Sequence, residues 1–195
     1  MVIFFYDKTF EGLLTAVFDA YNRKTFPQRL MKTGETPPLF TDEVYTVWTQ
    51  KTSAERVWKA LERKLKKEAC NMLMRVWLSE LPGSDELLLR YIRKTFDTKH
   101  DISLNFGDAD VLEVGKIARK VGHEALYLKQ FVRFQKAADD LFFAPVRPIY
   151  NALPLTIDHF TDRFADQPWV IYDLRRRYGY YYDLQTAREI TFTDD

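Results

Sequence analysis

The cationic and aromatic side chains best suited to bind a nucleic acid lie in the last third of the sequence. Three arginines stand together just before a run of tyrosines, at the tip of a predicted hairpin. Guanidinium groups contact phosphates, and tyrosine rings stack on bases. The predicted nucleic-acid-binding residues are Arg133, Arg163, Arg175, Arg176, Arg177 and Tyr180. The alternative is a solvated turn whose tyrosines pack on the faces of a sheet.

The weaker candidates, for catalysis, are His123, Asp158, His159 and Asp162. Asp158 and Asp162 are one helical turn apart, so both carboxylates would share one helix face and could act in acid–base chemistry or metal binding. Exposed aspartates on a helix surface would give the same pattern. The spacing of the histidines matches no zinc site, so we expect no metal. The sequence has no phosphate-binding loop and no dinucleotide-binding fingerprint, and we expect no cofactor.

The overall composition is that of an ordinary globular protein. The net charge is only +1 and the apolar fraction is 46%, so the global field does not predict a polyanionic partner. The single cysteine, Cys70, excludes a disulfide within the chain and is predicted to be a buried structural residue. No apolar segment has transmembrane length, and we expect a cytoplasmic protein.

The first 122 residues read mainly as helices. Val2–Tyr6 is predicted to be a short buried strand, and Asp7 or Thr9 to cap the helix after it. Thr52 and Glu55 form a capping-box pattern before an amphipathic helix that continues through residues 54–77. The further predicted caps are Ser84, for a shorter helix, and Asp108, for a third helix that stops near Gly122.

After Gly122 the apolar period changes from helical to alternating. Leu126, Leu128, Val132 and Phe134 occupy even positions, which is typical of a strand. This strand is predicted to turn at Asp139 and Asp140 and to form a hairpin with residues 141–146. A helix is predicted within residues 153–167. A second hairpin, of residues 169–173 and 180–183, and a last strand at 188–193 complete the prediction. The predicted fold class is α+β, in one domain over residues 1–195: a mainly helical part (1–122) packed on a small, mostly antiparallel sheet (123–195, β-rich with one helix).

Several long blocks of the sequence resemble a bacterial family described as probable DNA metabolism proteins. The blocks are FFYDKTFEGLLTAVFDAY, FVRFQ, LFFAPVRPIYNALPL and DHFTDRFADQPWVIYDLRRRYGYYYD. The resemblance implies a genomic neighbour, a radical-SAM protein assigned to DNA modification or repair, or a fusion to a uracil-DNA-glycosylase-like domain. It implies no established active site. The chain lacks the CxxxCxxC cluster of radical-SAM enzymes and the water-activating motif of the glycosylases.

Three hypotheses follow for the function. The first is an accessory protein of DNA repair that holds DNA for a partner enzyme, either the radical-SAM protein or the glycosylase-like protein. The second is an enzyme acting on damaged or modified bases, which needs a pocket where the histidines and aspartates converge. The third is a protein-interaction subunit without DNA contact, which would present an exposed apolar patch.

Overall fold

Helices and strands are distributed along the chain as in an α+β protein. The computed structural model describes residues 1–137 and 140–192. Helices dominate the first half, and a five-stranded, largely antiparallel sheet forms the C-terminal part. The predicted fold class is therefore confirmed. Contacts divide the chain into an N-terminal unit, Met1–Ala118, and a C-terminal unit, Arg119–Asp195.

The N-terminal unit contains a three-stranded parallel sheet in the order β2-β1-β3. The strands are β1 (Val2–Tyr6), β2 (Arg29–Lys32) and β3 (Glu43–Thr46). β1 is the predicted strand, and its residues from Ile3 to Tyr6 are buried on both faces, as expected for the centre of a parallel sheet. The other two strands were not predicted.

The connection from β1 to β2 is helix α1 (Phe10–Arg23), which supplies the crossover that parallel strands require. Thr9 is its N-cap, because its side-chain oxygen accepts a hydrogen bond from the backbone N–H of Gly12 at 2.9 Å. The carboxylate of Asp7 in turn accepts from the backbone and hydroxyl of Thr9. The cap predicted for this helix is confirmed.

Four further helices follow: α2 (Lys51–Lys64), α3 (Lys67–Leu78), α4 (Ser84–Asp97) and α5 (Ala109–Phe131). The prediction of one helix over residues 54–77 is wrong, because the chain is extended at Leu65, with φ −111° and ψ 149°. The Leu65 side chain stays buried. The ammonium of Lys64, just before the break, donates to the carbonyls of Thr95, Phe96 and Thr98 at 2.7–2.9 Å, where α4 ends.

Two of the three predicted caps on these helices are also corrected. Thr52 lies inside α2, whose N-cap is Gln50 and has no side-chain cap. Ser84 is the first residue of α4, and the N-cap position is Gly83 with φ 78°. Asp108 does cap α5, since its carboxylate accepts from the backbone N–H of Asp110 at 2.9 Å.

The start of α4 carries a buried polar cluster of the N-terminal unit. The carboxylate of Asp85, which is 7% exposed, accepts a hydrogen bond from the Tyr6 hydroxyl at 2.8 Å and pairs with the ammonium of Lys8. Burial alone would raise the pKa of Asp85, but hydrogen bonds from Glu86, Lys8 and Tyr6 outweigh it and lower that pKa below its usual value. Asp85 is therefore a buried, stabilised carboxylate.

Helix α5 continues well beyond the predicted end at Gly122, and the strand predicted through Leu126, Leu128, Val132 and Phe134 is wrong. The side chains along one side of α5 are buried at helical spacing, at Val111, Val114, Ile117, Ala118, Val121, Ala125 and Leu128. Leu126 is 51% exposed, so the alternation that predicted a strand does not match the burial.

The sheet of the C-terminal unit has the order β4-β5-β6-β7-β8. The strands are β4 (Gln135–Lys136), β5 (Phe142–Val146), β6 (Trp169–Asp173), β7 (Tyr178–Tyr182) and β8 (Ala187–Ile190). Three of the four pairings are antiparallel: β4–β5, β6–β7 and β7–β8. The predicted β6–β7 hairpin is confirmed, whereas β5 pairs with the two-residue strand β4 and not with the strand predicted through residues 126–134. Of the predicted features, Asp139 and Thr193 lie outside the described residues.

One pairing in this sheet is parallel, between β5 and β6. The crossover between them contains a 3-10 turn (Leu153–Thr156) and helix α6 (Ile157–Arg163), within the segment predicted to be helical. Phe160 of α6 is buried against Trp169 of β6, which has no exposed surface. The core of this unit therefore lies on the sheet face that α6 covers.

None of the helices in the described part of the chain combines the length and the hydrophobicity needed to span a lipid bilayer.

Candidate nucleic-acid interface

A cleft of about 620 Å³ opens on the C-terminal unit, and we call it the basic cleft. Its walls come from the last turn of α5, the segment 132–134 that follows, the first residue of β5 and α6. Its lining residues are Leu126, Lys129, Gln130, Val132, Arg133, Phe134, Phe142, His159, Phe160, Arg163, Phe164 and Gln167. Two residues of the predicted binding surface, Arg133 and Arg163, therefore come together in one concavity.

Local structure explains why Arg133 and Arg163 are exposed. Arg133 follows the end of α5 and is exposed, whereas its neighbours Val132 and Phe134 are half-buried against the aromatic core. Arg163 is the last residue of α6, with its guanidinium carbon 5.8 Å from the ring centre of Phe164. The apolar neighbours thus fix the backbone while the charged ends stay in water.

The charged side chains that line the basic cleft, within the described residues, are all cationic. Its lining contains Lys129, Arg133 and Arg163 but, among the residues that the structure describes, no aspartate and no glutamate. Aromatic side chains supply the floor, and Phe134 packs at 5.0–5.5 Å from the rings of Phe160 and Phe164. Such a site suits an anion that also carries a flat apolar group.

His159 is the one catalytic candidate that reaches this cleft. Its ring is 5.4 Å from that of Phe160, and its Nε2 is buried with no hydrogen-bond partner among the described residues. An unpartnered buried nitrogen costs free energy, so a ligand group that hydrogen-bonds to it would be favoured.

The other three catalytic candidates do not join it. His123, Asp158 and Asp162 are exposed and lie outside the lining of the cleft. Within the described ranges, no three of the histidine, cysteine and acidic side chains are placed to hold a metal ion. The structure therefore does not bring the four predicted catalytic candidates together in the basic cleft.

The arginine hairpin between β6 and β7 is organised around Asp173, a fully buried carboxylate. Asp173 accepts from the backbone N–H groups of Arg175 and Arg176, at 2.8 and 3.2 Å, and from the guanidinium of Arg176 at 2.9 Å. The same guanidinium donates to the carbonyls of Pro148 and Ile149. Arg176 therefore ties the hairpin to the loop after β5.

Arg175 and Arg177 are the exposed members of this group. Arg175 also donates to the Ile149 carbonyl, at 3.1 Å. Neither residue lines the basic cleft. Of the three predicted arginines in the hairpin, the structure thus gives Arg176 an internal role and places the other two at the surface.

Tyr180 is half-buried rather than displayed for stacking. Its ring packs edge-on to that of Tyr178 at 6.0 Å, and both belong to the rim of the aromatic core. Burial raises the pKa of Tyr180, and the facing carboxylate of Glu189 adds to the effect. The tyrosine run therefore contributes to the packing of the sheet.

A second concavity, of about 360 Å³, lies beside the basic cleft, and we call it the aromatic groove. Its lining includes Tyr127, Phe131, Gln135 and Arg147, and it shares Arg133 with the basic cleft. The sequence did not predict this groove. Tyr127 and Phe131 are four residues apart, so they would have been recognised as neighbours had the helix been extended past Gly122.

Comparison with known proteins places these features in a family. Residues 82–194, more than half of the chain, match the profile of DUF4130, described as a domain of unknown function. The chain belongs to the DUF4130 family. All the residues of the basic cleft and the aromatic groove fall inside the segment that matches DUF4130.

A comparison with curated proteins found no match to the chain. Among solved structures, a pGpG-specific phosphodiesterase, PggH of Vibrio cholerae, aligns with a TM-score of 0.44 and 13% sequence identity over 92% of this chain and 81% of that one. A likeness of this degree says nothing about the activity of the present chain.

Proposed function

We propose that this protein is an accessory factor of DNA metabolism that binds nucleic acid through the basic cleft and holds it for a partner enzyme. The observation that carries the proposal is the convergence of Lys129, Arg133 and Arg163 on a cleft whose described lining has no acidic residue. Cations in such a setting gain affinity for a polyanion by releasing its condensed counterions. The aromatic floor adds contacts to bases or sugars.

The choice of DNA metabolism rests on the family resemblance of the sequence blocks. That resemblance implies a partner that is either a radical-SAM protein assigned to DNA modification or repair or a uracil-DNA-glycosylase-like protein. A non-catalytic role agrees with the scattering of His123, Asp158 and Asp162 away from the cleft. The partner enzyme would carry out the reaction, and this chain would bind the DNA strand on which it acts.

The test is a titration of dye-labelled DNA followed by fluorescence anisotropy, with single-stranded and duplex oligonucleotides of the same sequence. The variant is Arg133→Glu/Arg163→Glu, at two exposed positions of the cleft. The matched control is Arg119→Glu/Lys120→Glu, which makes the same charge change at exposed positions of α5 outside both concavities.

We expect the cleft variant to weaken binding at least about tenfold, because it replaces two attractive phosphate contacts by two repulsive ones. The control should change the affinity by less than about twofold. Equal losses in the two variants would mean that only net charge matters and that the cleft is not the site. No binding of either oligonucleotide by the wild type would refute the proposal altogether.

A second candidate function, protein interaction through the N-terminal unit, is favoured by a separate observation. Leu39, Phe40 and Trp48, which flank the edge strand β3, are 97%, 89% and 75% exposed. Exposed large apolar side chains of this kind are typical of protein-binding surfaces. Co-purification with the radical-SAM protein, compared between wild type and Leu39→Ser/Phe40→Ser, would test it. Unchanged recovery would exclude these residues.

A further inference from the structure

Two exposed aromatic rings stand side by side in the aromatic groove. Tyr127 and Phe131 lie one turn apart on α5, with ring centres 4.7 Å apart and planes inclined by 40°. They are 60% and 56% exposed. Removing two large rings from water would be favourable, because burial of apolar surface lowers the free energy. A ligand with a flat apolar face would provide that burial.

The charges around the ring pair define that ligand further. Arg133 and Arg147 line the same groove, and both are exposed. In the described ranges of the chain, neither forms an ion pair with a carboxylate. The acidic residue in the lining is Glu124, whose carboxylate accepts the backbone N–H of Ile149 at 2.8 Å. The groove therefore offers stacking surfaces beside cations.

Arg133 connects the groove to the basic cleft, because it lines both. A strand that crosses Arg133 would place phosphates near Lys129 and Arg163 on one side and near Arg147 on the other. Its bases would meet the rings of Tyr127 and Phe131. Alternation of cations and rings is the arrangement by which proteins hold unpaired strands, since every base presents a face for stacking.

We propose that this surface selects single-stranded DNA over duplex DNA by stacking unpaired bases on Tyr127 and Phe131. In a duplex the base faces are already stacked on one another and unavailable to the rings, whereas the phosphates are available in both forms. The inference rests on the proposed nucleic-acid binding and specifies its substrate. Stacking on the two rings then adds binding free energy only for unpaired bases, whereas the cations bind the phosphates of both single-stranded and duplex DNA.

The experiment compares wild type with Tyr127→Ala/Phe131→Ala, using three labelled probes: a single-stranded oligonucleotide, its duplex, and the single strand with abasic residues in place of nucleotides. Alanine is a strong helix former and both positions are exposed, so α5 should be preserved. Circular dichroism checks this. The control is Leu104→Ala/Phe106→Ala, which removes two exposed apolar side chains outside both concavities.

We expect the ring variant to lose at least about tenfold in affinity for the single strand and less than about twofold for the duplex. The wild type should bind the abasic strand as weakly as the variant does, and the variant should no longer distinguish intact from abasic DNA. The slope of affinity against salt should be unchanged, because no phosphate contact is removed.

The possible failures are distinguishable. Undiminished single-strand binding by the ring variant, with loss in Arg133→Glu/Arg163→Glu, would overturn the stacking inference and leave nucleic-acid binding intact. Absence of binding to all three probes would overturn both. Loss of self-association or of a protein partner in the ring variant, with DNA affinity unchanged, would reassign the rings to a protein contact and also overturn the inference.

Discussion

Asp173 has no exposed surface, yet its carboxylate is hydrogen-bonded by two backbone N–H groups and by the guanidinium of Arg176. The sequence shows three equivalent arginines in a row, and only the structure separates them. Removing one partner of a buried pair is costly because the other charge stays behind without compensation. The structure therefore assigns Arg176 to the anchoring of Asp173, a role that the sequence alone does not distinguish.

Replacement of Arg176 by alanine should lower the free energy of unfolding by about 3 kcal/mol, because it strips Asp173 of its countercharge. Replacement of the exposed Arg175 should cost about 1 kcal/mol or less. Chemical denaturation of both variants measures the difference. If Arg176→Ala kept full stability and lost DNA binding instead, the anchoring role would be wrong.

Two buried tyrosines of the N-terminal unit form a second matched pair at this scale. The Tyr6 hydroxyl donates to Asp85, whereas the Tyr91 hydroxyl has no partner within the described residues, although both side chains are fully buried. Burial raises the pKa of Tyr91 to about 12, so its hydroxyl is protonated at neutral pH. The same substitution by phenylalanine should therefore have opposite consequences at the two positions.

Tyr6→Phe should destabilise the protein by about 2 kcal/mol at neutral pH, and Tyr91→Phe should be neutral or stabilising by up to about 1 kcal/mol. The folded pKa of Asp85 is lowered, so its contribution is present above the ordinary value of 3.8 and is lost as the pH falls through the folded pKa. The Tyr6→Phe deficit should shrink in that acidic range. Denaturation at several pH values measures it, and a pH-independent deficit would contradict the assignment.

At the scale of elements, hairpin β6–β7 depends on a glycine within a run of tyrosines. A Cβ at Gly179 would lie 2.2 Å from the carbonyl oxygen of Ile171 and 2.8 Å from the Tyr172 ring. Because the first of these atoms belongs to the backbone, the strands themselves would have to separate. The glycine is therefore required by close approach of the two strands.

Gly179→Ala should lower the free energy of unfolding by about 3 kcal/mol through this overpacking. Gly115→Ala is the control, since Gly115 lies in the helix α5 and, apart from its chain neighbours and the helix backbone around it, no atom lies within 4 Å of the added Cβ. That change should stabilise by up to about 1 kcal/mol. Thermal denaturation of both variants is sufficient, and similar effects of the two substitutions would argue against a close contact at Gly179.

The elements that the sequence predicted are those whose residue pattern is strong within one short segment. β1, the cap of α1 and the β6–β7 hairpin have strong patterns of their own. β2 and β3 are four residues long and contain charged residues, so they exist by pairing with β1. The continuation of α5 was missed because Leu126, Leu128, Val132 and Phe134 alternate as in a strand, although only the first two lie in the helix and Leu126 is exposed.

The candidate site was predicted in part for the same reason. Arg133 and Arg163 were chosen as exposed cations, and that choice needs only local alternation. Their meeting with Lys129 and His159 depends on the end of α5 and on the β5–α6–β6 crossover, which joins segments distant in sequence. No periodicity in the chain carries this information.

At the scale of the whole molecule, the charge is balanced. Residues 119–195 contain eleven basic and eleven acidic residues, so the C-terminal unit has no net charge although its cleft is basic. Long-range attraction of DNA should therefore be weak, and affinity should depend on short-range contacts. The concentration of cations in two adjoining concavities, rather than the total charge, is the relevant quantity.

The four cations of the two concavities set the expected salt dependence. If Lys129, Arg133, Arg147 and Arg163 each contact a phosphate, the logarithm of the affinity for single-stranded DNA should fall against the logarithm of salt concentration with a slope of about −3. Arg133→Glu/Arg163→Glu should bring the slope closer to zero by at least one unit. Anisotropy titrations from low to moderate salt measure it, and a flat dependence would exclude phosphate contacts.

The position of Cys70 makes the N-terminal unit observable by itself. It is the single cysteine of the chain, lies on α3 and is 6% exposed, and burial raises its pKa. The native thiol should therefore resist alkylation, and each labelling event should record an opening of the helices around it. Residues 119–195 contain no thiol. The rate of maleimide labelling therefore measures the opening of the N-terminal unit only.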